Sequence, residues 1–394
     1  MKRQTKDDLR MLAVSGIFIL MLPLMTAAAA SKISSAETLL FLAAKASVML
    51  SVGDIFPVSN EIRKTTAEAL PDDLYGSGYA QAEASTFFTI DDSNMLSFGS
   101  PEIPSSSDEE RIVSDEDYDA GPKPYPESLE NHDGKITLMQ YGHFKGETYI
   151  DLDIAGQVRN VTSVSNDRLI SESRLAPDFT IEKNGEPQIL IMHTHTTESY
   201  EPYERDFYDS SFTSRTTDSH MNMVAVGDEI AKQLEAAGIA VIHDTTMHDY
   251  PSYNGSYDRS RETVQAILDE YPSIKIVLDV HRDAIEKADG ERIAPVAEIN
   301  GRNAAQVMII SGCDDGTMGM PNCMKNFRFA CMLQQQMESD FGGLTRPILF
   351  DHRKYNQDMT TGSILIEVGG HGNSIDQAVY SGELIGKALA ECLT

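Results

Sequence analysis

Apolar and polar positions follow two alternating patterns in the second half of the chain. Runs of consecutive apolar residues, as in "QILIM" (188–192), "IKIVLDV" (274–280) and "SILIEV" (363–368), are typical of strands buried on both faces. Between such runs, segments like 222–237 have apolar residues three or four positions apart, which is the spacing of an amphipathic helix. This alternation predicts an α/β fold, with a mostly parallel sheet covered by helices on both faces.

The same patterns predict the remaining elements of the fold. Two more apolar strands are expected at 239–244 and 306–312, and another amphipathic helix at 261–271. The last helix is expected to begin at Ser374, which forms a capping-box pattern with Gln377, and to run nearly to the C-terminus. These elements together make up the predicted α/β domain.

Two segments of different character precede this α/β domain, which spans 188–394. Residues 135–187 contain the short runs "TYIDLDI" and "VRNVTSV" and are predicted to form a small β-rich segment. Residues 72–134 are rich in proline, serine and acidic residues and have no helical or alternating period. Such a composition cannot bury enough apolar surface to offset its conformational entropy, so we predict a disordered acidic linker.

The N-terminal segment 1–30 has the pattern of a membrane anchor. Basic residues within the first ten positions precede an uncharged, mostly apolar run at 11–30. A run of about this length spans a bilayer, and basic residues before it hold that end in the cytoplasm. We therefore expect a single-pass protein of the cell membrane with its α/β domain outside the cytoplasm. Small residues at 27–31 also fit a cleaved signal peptide, and residues 31–71 are predicted to be membrane-proximal.

Charge excludes one class of partner. The chain has 61 acidic residues against 32 lysines and arginines, which gives a net charge of -29. Binding to nucleic acid depends on a basic surface that neutralises phosphates, and this composition does not supply one. Nucleic acid is therefore not an expected partner.

Imidazole and carboxylate side chains follow three of the predicted strands. In a doubly covered sheet, ligands bind beyond the carboxyl ends of the strands, where such side chains would meet. A catalytic zinc ion takes three protein ligands and leaves a fourth position for water, and a nearby glutamate can move the proton of that water. The pattern predicts a metal-assisted hydrolase, although the HExxH signature is absent. The residues concerned are His193, His195, Glu198, His281, Arg282, Asp283, Glu367, His371 and Asn373.

Four motifs of this region resemble the stage II sporulation protein P family, membrane-anchored peptidoglycan hydrolases of engulfment in endospore-forming bacteria. The motifs are "ILIMHTHTTESY", "HDYPSYNGSYDRSRETV", "VLDVHRDA" and "YNQDMTTGSILIEVGGHGNS", in that order, within 146–393. The family is similar in turn to zinc-dependent N-acetylmuramoyl-L-alanine amidases. The resemblance implies a Zn²⁺ cofactor and cleavage of the bond between the lactyl group of the glycan and the first alanine of the stem peptide.

The resemblance has further implications for activity and partners. It implies an endopeptidase activity on cross-linked stem peptides and an engulfment complex with a lytic transglycosylase and a membrane subunit. Two alternatives are a different zinc peptidase of the same fold and a wall-binding scaffold without catalytic activity.

The resemblance also assigns roles to individual residues. His195 and His281 correspond to two zinc-ligand histidines of the similar amidases, and Glu367 corresponds to their catalytic glutamate. Asn373 follows six residues later, as in their pattern. Of the resembling residues, Arg282, Asn356 and Asn373 are expected to bind the substrate, whereas Arg259 is expected to hold loops.

The remaining metal ligand departs from the amidase pattern. Those amidases use a glutamate at the start of the helix before the second strand, and the corresponding "TTDSHMNMVAVG" contains none. We interpret His220 as the third ligand, with His193, Asp218 and Glu198 as alternatives. Three further histidines are open to a structural or a substrate-facing role: His243, His248 and His352.

The cysteines do not indicate a metal site. No CxxC pair occurs among Cys313, Cys323, Cys331 and Cys392, so a cysteine-rich zinc site is not expected. Export would permit a disulfide, and four thiols allow three pairings. The sequence does not distinguish among these pairings, or between disulfides and free thiols.

Overall fold

The computed structural model describes residues 123–394 and, before them, the backbone of two short strands, β1 (Phe88–Ile90) and β2 (Leu96–Phe98). These two strands pair antiparallel within the segment predicted to be a linker. The predicted anchor (1–30) and membrane-proximal segment (31–71) lie outside the described residues. In the part of the chain that the structure describes, no helix combines the length and apolar character needed to cross a bilayer.

Twelve further strands follow within residues 123–394. They are β3 (Gly134–Met139), β4 (Tyr149–Asp151), β5 (Gln157–Asn160), β6 (Ile189–Met192), β7 (Phe207–Tyr208), β8 (Val241–His243), β9 (Ile276–Asp283), β10 (Arg292–Ile299), β11 (Arg302–Ala305), β12 (Val307–Gly312), β13 (Ile348–Asp351) and β14 (Gly362–Gly370).

Eight of these strands form the main sheet, in the order β4-β5-β13-β12-β14-β9-β6-β8. Strands β14, β9, β6 and β8 run parallel to one another, as do β12, β13 and β5. The two blocks meet where β12 pairs antiparallel with β14, and the edge strand β4 is antiparallel to β5. The sheet is therefore mixed, and the prediction of a mostly parallel sheet is wrong.

The error has a physical reason. An apolar run shows that both faces of a strand are covered, but it does not report the direction in which the strand runs. Here the preceding connection sets the direction of β12. Strands β10 and β11 form an antiparallel pair, and Gln306 alone separates β11 from β12. The chain therefore enters β12 from this hairpin and not from a crossover helix.

A second, four-stranded sheet has the order β11-β10-β3-β7. Strand β3 is parallel to β10 and antiparallel to β7. The predicted β-rich segment 135–187 thus contributes to both sheets, since β3 joins the smaller sheet while β4 and β5 form one edge of the main sheet.

Within the described residues, four helices connect strands and a fifth follows the last strand. They are α1 (Asn166–Ser173), α2 (Met223–Ala236), α3 (Ser256–Glu270), α4 (Cys323–Asp340) and α5 (Ile375–Cys392). The predicted capping box of α5 is confirmed, since Ser374 and Gln377 each accept from the other's backbone N–H. Gly238 follows α2 with φ +80, a left-handed conformation that glycine adopts without strain.

The helices cover the two faces of the main sheet unequally. On one face, Ile189 and Ile191 of β6 pack in a core with residues of α1, α2, α4 and α5. On the other face, Leu190 and Met192 pack with Val264 of α3. Among the described residues, α3 is the one helix that packs on this second face, so loops complete it there, and the candidate site opens on this side.

Candidate catalytic site

His281 and Glu367 lie side by side at the carboxyl ends of neighbouring strands. They are register partners in the parallel pair β9 and β14. Because side chains alternate between the faces of a strand, His281 shares a face with Val277, and Glu367 shares one with Leu365. Val277 packs in the α3 cluster, so the two polar side chains stand on the face that α3 covers only in part.

The imidazole of His281 has a carboxylate on each side. Its Nε2 is 2.7 Å from Oδ1 of Asp279. The carboxylate of Asp279 in turn accepts hydrogen bonds from Thr194, at Oδ1 from the backbone N–H and at Oδ2 from the hydroxyl. Its Nδ1 lies 3.6 Å from Oε2 of Glu198. Burial opposes protonation of His281, but Asp279 and Glu198 outweigh it and raise the pKa of the imidazole well above its usual range. The hydrogen bond between Asp279 and Nε2 also fixes the orientation of the His281 ring.

His195 follows β6 and reaches the same cleft. Its ring stacks on Tyr253, with centroids 4.6 Å apart, and its Nε2 lies 3.2 Å from the Tyr253 hydroxyl. The ring centroids of His195 and His281 are 5.2 Å apart. Nδ1 of His195 is buried and has no hydrogen-bond partner. Burial lowers the pKa of His195 to about 3, so the ring is neutral and keeps a lone pair for a ligand.

Glu198 enters the cleft from the loop after β6. The backbone N–H of Arg282 donates to its Oε2 at 3.1 Å, and the Arg215 guanidinium lies 3.7 Å from Oε1. Burial favours the neutral acid, but Arg282 and His281 outweigh it and hold the pKa of Glu198 well below its usual range. Glu198 is therefore a carboxylate at neutral pH.

Glu367 differs from Glu198 in its surroundings. It is buried, and its Oε2 has no hydrogen-bond partner. Burial, reinforced by the nearby Asp283, raises the pKa of Glu367 to about 8. Asp283 itself pairs with Arg346, whose Nη1 lies 2.8 Å from its Oδ2. Glu367 is thus a carboxyl group that can take up or release a proton near neutral pH.

The side chains of His195, His281 and Glu198 are of the types that bind zinc. Within the described residues, no group of three His, Cys, Asp or Glu side chains has the spacing of a formed metal site. The 3.6 Å between His281 Nδ1 and Glu198 Oε2 is too long for a hydrogen bond. It is close to the separation of about 3.4 Å expected between two ligands of one tetrahedral zinc. The unpartnered Nδ1 of His195 supplies a third donor nearby.

The other candidates for the third ligand lie elsewhere or are engaged. Both ring nitrogens of His193 have partners, since Nδ1 lies 2.7 Å from the Val280 carbonyl and Nε2 lies 2.9 Å from the His243 ring. His220 is exposed, and its backbone N–H donates to Asp218. Across the described residues, no hydrogen bond or ion pair joins His220 or Asp218 to the two cleft histidines. Glu198 is the one candidate that the structure places beside them.

Two arginines predicted from the resemblance hold backbone segments next to the cleft. The guanidinium of Arg282 is buried and donates to the carbonyls of Ser199 and Ser214 at 3.1 and 3.0 Å. Arg259 donates to three carbonyls of the loop 248–254. Both side chains therefore order loops, and substrate binding by Arg282 stays a prediction.

Asn356 and Asn373 also make backbone contacts. Asn356 Nδ2 donates to the Tyr257 carbonyl at 2.9 Å. Asn373 is fully buried; its Oδ1 accepts from Gly370 N–H at 2.8 Å and its Nδ2 donates to the Pro295 carbonyl at 3.1 Å. Asn373 thus closes the turn after β14, and the predicted role of both residues in substrate binding stays a prediction.

His248 and His352 are held by structural contacts. His248 bridges the His193 carbonyl and the Thr263 hydroxyl. His352 Nδ1 lies 3.3 Å from the Cys313 carbonyl.

Two residues of the cleft were not predicted from the sequence. Asp279 stands two positions before His281, and the two-residue period of a strand was a usable signal that both share one face. Tyr253 comes from the loop before α3, and its position over His195 depends on the conformation of that loop, for which the sequence carried no signal.

The fold and cleft define an α/β protein with two imidazoles and three carboxyl groups, those of Glu198, Asp279 and Glu367, gathered near the ends of parallel strands. Residues 83–390 match the stage II sporulation protein P family, and the chain belongs to this family. The resemblance seen in the four motifs is confirmed. A relative from Bacillus subtilis (strain 168), stage II sporulation protein P, is 30% identical over 200 residues. That match covers 48% of this chain and 47% of the relative, about half the length of each.

Solved structures with a similar fold include three N-acetylmuramoyl-L-alanine amidases. AmiC2 of Nostoc punctiforme is 12% identical with a TM-score of 0.32 and covers 54% of this chain and 96% of its own. An amidase from Clostridium difficile 630 is 16% identical with a TM-score of 0.29. The match covers 53% of this chain and 94% of the amidase. The CwlD amidase from Clostridioides difficile, in complex with the GerS lipoprotein, is 11% identical with a TM-score of 0.31. The match covers 52% of this chain and 94% of the CwlD chain.

Proposed function

We propose that this protein is a zinc-dependent peptidoglycan hydrolase that acts in engulfment during sporulation. Its reaction is the amidase reaction, which cuts the amide bond between the glycan lactyl group and the first alanine of the stem peptide. The observation that carries the proposal is the position of Glu367, a buried carboxyl group with a free oxygen, as the register partner of His281. Family membership and the four resembling motifs support the substrate class.

His195, His281 and Glu198 would hold the zinc ion. They offer two imidazoles and one carboxylate, which is a donor set that zinc uses in hydrolases, and His281 would release its proton on binding the ion. When bound, zinc acts as a Lewis acid that acidifies water and polarises the scissile carbonyl. Asp279 holds the ring of His281 through Nε2 and leaves Nδ1 for the ion. Glu198 replaces His220 as the preferred third ligand.

Glu367 carries a proton from the attacking water to the departing nitrogen. Its Oε2 accepts a proton from the water that attacks the amide carbonyl, and the resulting acid donates that proton to the departing alanine nitrogen. A raised pKa suits both steps, because a carboxyl group near its pKa at working pH is an effective base and an effective acid. The buried position next to Asp283 maintains this property without a direct hydrogen bond to Oε2.

The proposal extends to location and partners. The apolar run at 11–30 would tether the protein to the membrane as a single-pass protein, with the catalytic domain on the outer side. An endopeptidase activity on stem peptides and assembly with a lytic transglycosylase and a membrane subunit follow from the resemblance alone. Fractionation of cells that express the chain with and without 11–30 tests the tether, and recovery of both forms in the soluble fraction would contradict it.

Product analysis tests the reaction. Purified protein with zinc is incubated with isolated peptidoglycan, and the released material is identified by mass spectrometry. Glycan strands without peptides, together with intact stem peptides beginning at alanine, are the expected products. Cleaved cross-links alone would identify a different zinc peptidase, and an absence of products, with zinc bound, would identify a wall-binding scaffold. Glu298→Gln, at an exposed strand position, is the control for Glu367→Gln.

A further inference from the structure

Two of the four cysteines meet at one end of the main sheet. Cys313 directly follows β12, and Cys323 is the first residue of α4. Their sulfur atoms are 4.0 Å apart, which is a contact between two free thiols. Cys313 is buried, whereas Cys323 is partly exposed. The pair therefore has one sulfur that solvent reaches and one behind it.

The loop between the cysteines is ordered without help from the sulfur atoms. The side chain of Asp314 accepts backbone N–H hydrogen bonds from Gly316, Met318 and Met320, at 2.7, 3.1 and 2.6 Å. These bonds fold the segment 314–322 back on itself and return the chain to the start of α4. The two thiols are therefore brought together by the fold before any covalent bond exists.

The surroundings make the two sulfurs unequal. The contact between them lowers the pKa of Cys323 and raises the pKa of Cys313, whose burial acts in the same direction. Backbone N–H groups of Asp314 and Met324 also favour the thiolate of Cys323. A partly exposed thiolate at a helix N-terminus, backed by a second thiol, is the arrangement of a reactive cysteine with a resolving partner.

We propose that Cys313 and Cys323 form a reversible disulfide by exchange with an external disulfide. The Cys323 thiolate attacks one sulfur of the donor, whose S–S bond breaks and releases one thiolate. The Cys313 thiol then gives its proton to the released donor thiolate and attacks Cys323 Sγ, which releases the second thiolate of the donor. The two cysteines together lose two electrons, and the donor disulfide is reduced to two thiols. The sulfurs need to approach by about 2 Å to reach bonding distance, a shift within reach of side-chain rotation.

The other two cysteines lack such a partner. Cys331 is fully buried in the main core, and Cys392 Sγ contacts the Leu389 carbonyl within its own helix. Both are expected to stay reduced, so they serve as internal controls. The proposed bond also lies apart from the hydrolytic cleft, so it is independent of the proposed function.

Peptide mapping of the oxidised protein tests the proposal. The full chain is incubated with oxidised glutathione, the remaining thiols are alkylated, and the protein is digested with trypsin and Asp-N. This combination cuts before Asp314 and after Lys325 and thus separates the two cysteines. We expect fragments 303–313 and 315–325 to be joined by a disulfide that dithiothreitol removes, with Cys331 and Cys392 alkylated. Oxidised protein should also melt roughly 5 °C higher than reduced protein, because the bond constrains the unfolded chain.

Variants check the order of the steps. In Cys313→Ala, the proposal predicts that Cys323 is trapped as a mixed disulfide with glutathione. In Cys323→Ala, the buried Cys313 should remain a free thiol, and Cys331→Ala and Cys392→Ala should oxidise like the unmodified chain. Four alkylated cysteines after oxidation of the folded chain, or a cross-link to Cys331 or Cys392, would overturn the proposal.

Discussion

Glu367 on β14 and His281 on β9 are register partners, and a carboxyl group with no hydrogen bond at Oε2 therefore stands beside an imidazole whose two nitrogens face carboxylates. Parallel pairing with the same register places both side chains on one face of the sheet without any loop taking part. The distance between these two side chains is thus set by paired strands of the sheet, which supports the catalytic role proposed for Glu367.

Replacement of Glu367 by glutamine should separate catalysis from metal binding. Glutamine keeps the shape of the side chain but cannot carry the proton, so hydrolysis of peptidoglycan should fall by about 10²- to 10⁴-fold. Zinc content and melting temperature should remain close to those of the unmodified protein, and Glu298→Gln should retain full activity. Near-normal turnover by zinc-loaded Glu367→Gln would remove this residue from the mechanism.

The third metal ligand can be decided by zinc analysis. We expect about one zinc per chain, with strongly reduced content in His281→Ala and in Glu198→Gln, because the loss of one of three protein ligands leaves the ion underbound. His220→Ala should keep its zinc, since this side chain is exposed and lies outside the cluster around His281. Elemental analysis of the three folded variants provides the comparison. Loss of zinc in His220→Ala with retention in Glu198→Gln would restore the interpretation based on sequence.

The contrast between these two residues shows what the sequence could and could not predict. His195, His281 and Glu367 could be proposed from the sequence because each lies at or within three residues of the end of an apolar strand, and neighbouring parallel strands bring their ends together. Glu198 lies three residues further into a loop, and its approach to His281 depends on the backbone of Arg282 and on the packing of that loop. A similar limit applies to the direction of β12, which a hairpin in the second sheet determines.

Asp279 should act as a positioning residue for His281. Asp279→Asn weakens the hold on Nε2 and removes the charge that fixes the ring, so zinc affinity should fall by about 10- to 100-fold. Competition with a chelator of known affinity measures this change directly. Asp269→Asn, at an exposed position on α3, is the matched control and should bind zinc normally. An unchanged zinc affinity in Asp279→Asn would show that the ring is held by packing alone.

Tyr253 makes two separable contacts with His195, one through its ring and one through its hydroxyl. Tyr253→Phe keeps the stacking and should lower the rate of hydrolysis by less than about tenfold, the scale of one neutral hydrogen bond. Tyr253→Ala removes both contacts and should have the larger effect on rate. Tyr203→Phe, at an exposed position, controls for general effects. Equal rates for all three variants would mean that Tyr253 only covers the cleft.

The pair formed by Asp283 and Arg346 should contribute to stability through charge compensation. Both side chains are almost fully buried, and Nη1 of Arg346 lies 2.8 Å from Oδ2 of Asp283. Arg346→Met leaves the carboxylate buried without its partner, and breaking such a pair typically costs about 3–5 kcal/mol. The double variant Asp283→Asn, Arg346→Met removes both charges and should recover part of that loss, because no uncompensated charge remains.

Urea unfolding of the unmodified protein, both single variants and the double variant gives the interaction energy of the pair. Arg174→Met is the control, because Arg174 pairs with Asp153 at the surface, where both side chains are 56% exposed and solvent screens the charges. This control should therefore change the free energy of unfolding far less than Arg346→Met. If the losses in free energy of unfolding are additive in the double variant, charge compensation between the two side chains is contradicted. Additivity would mean that the two residues stabilise the fold through separate contacts. It would also mean that Asp283 tolerates burial beside Glu367 without the guanidinium of Arg346.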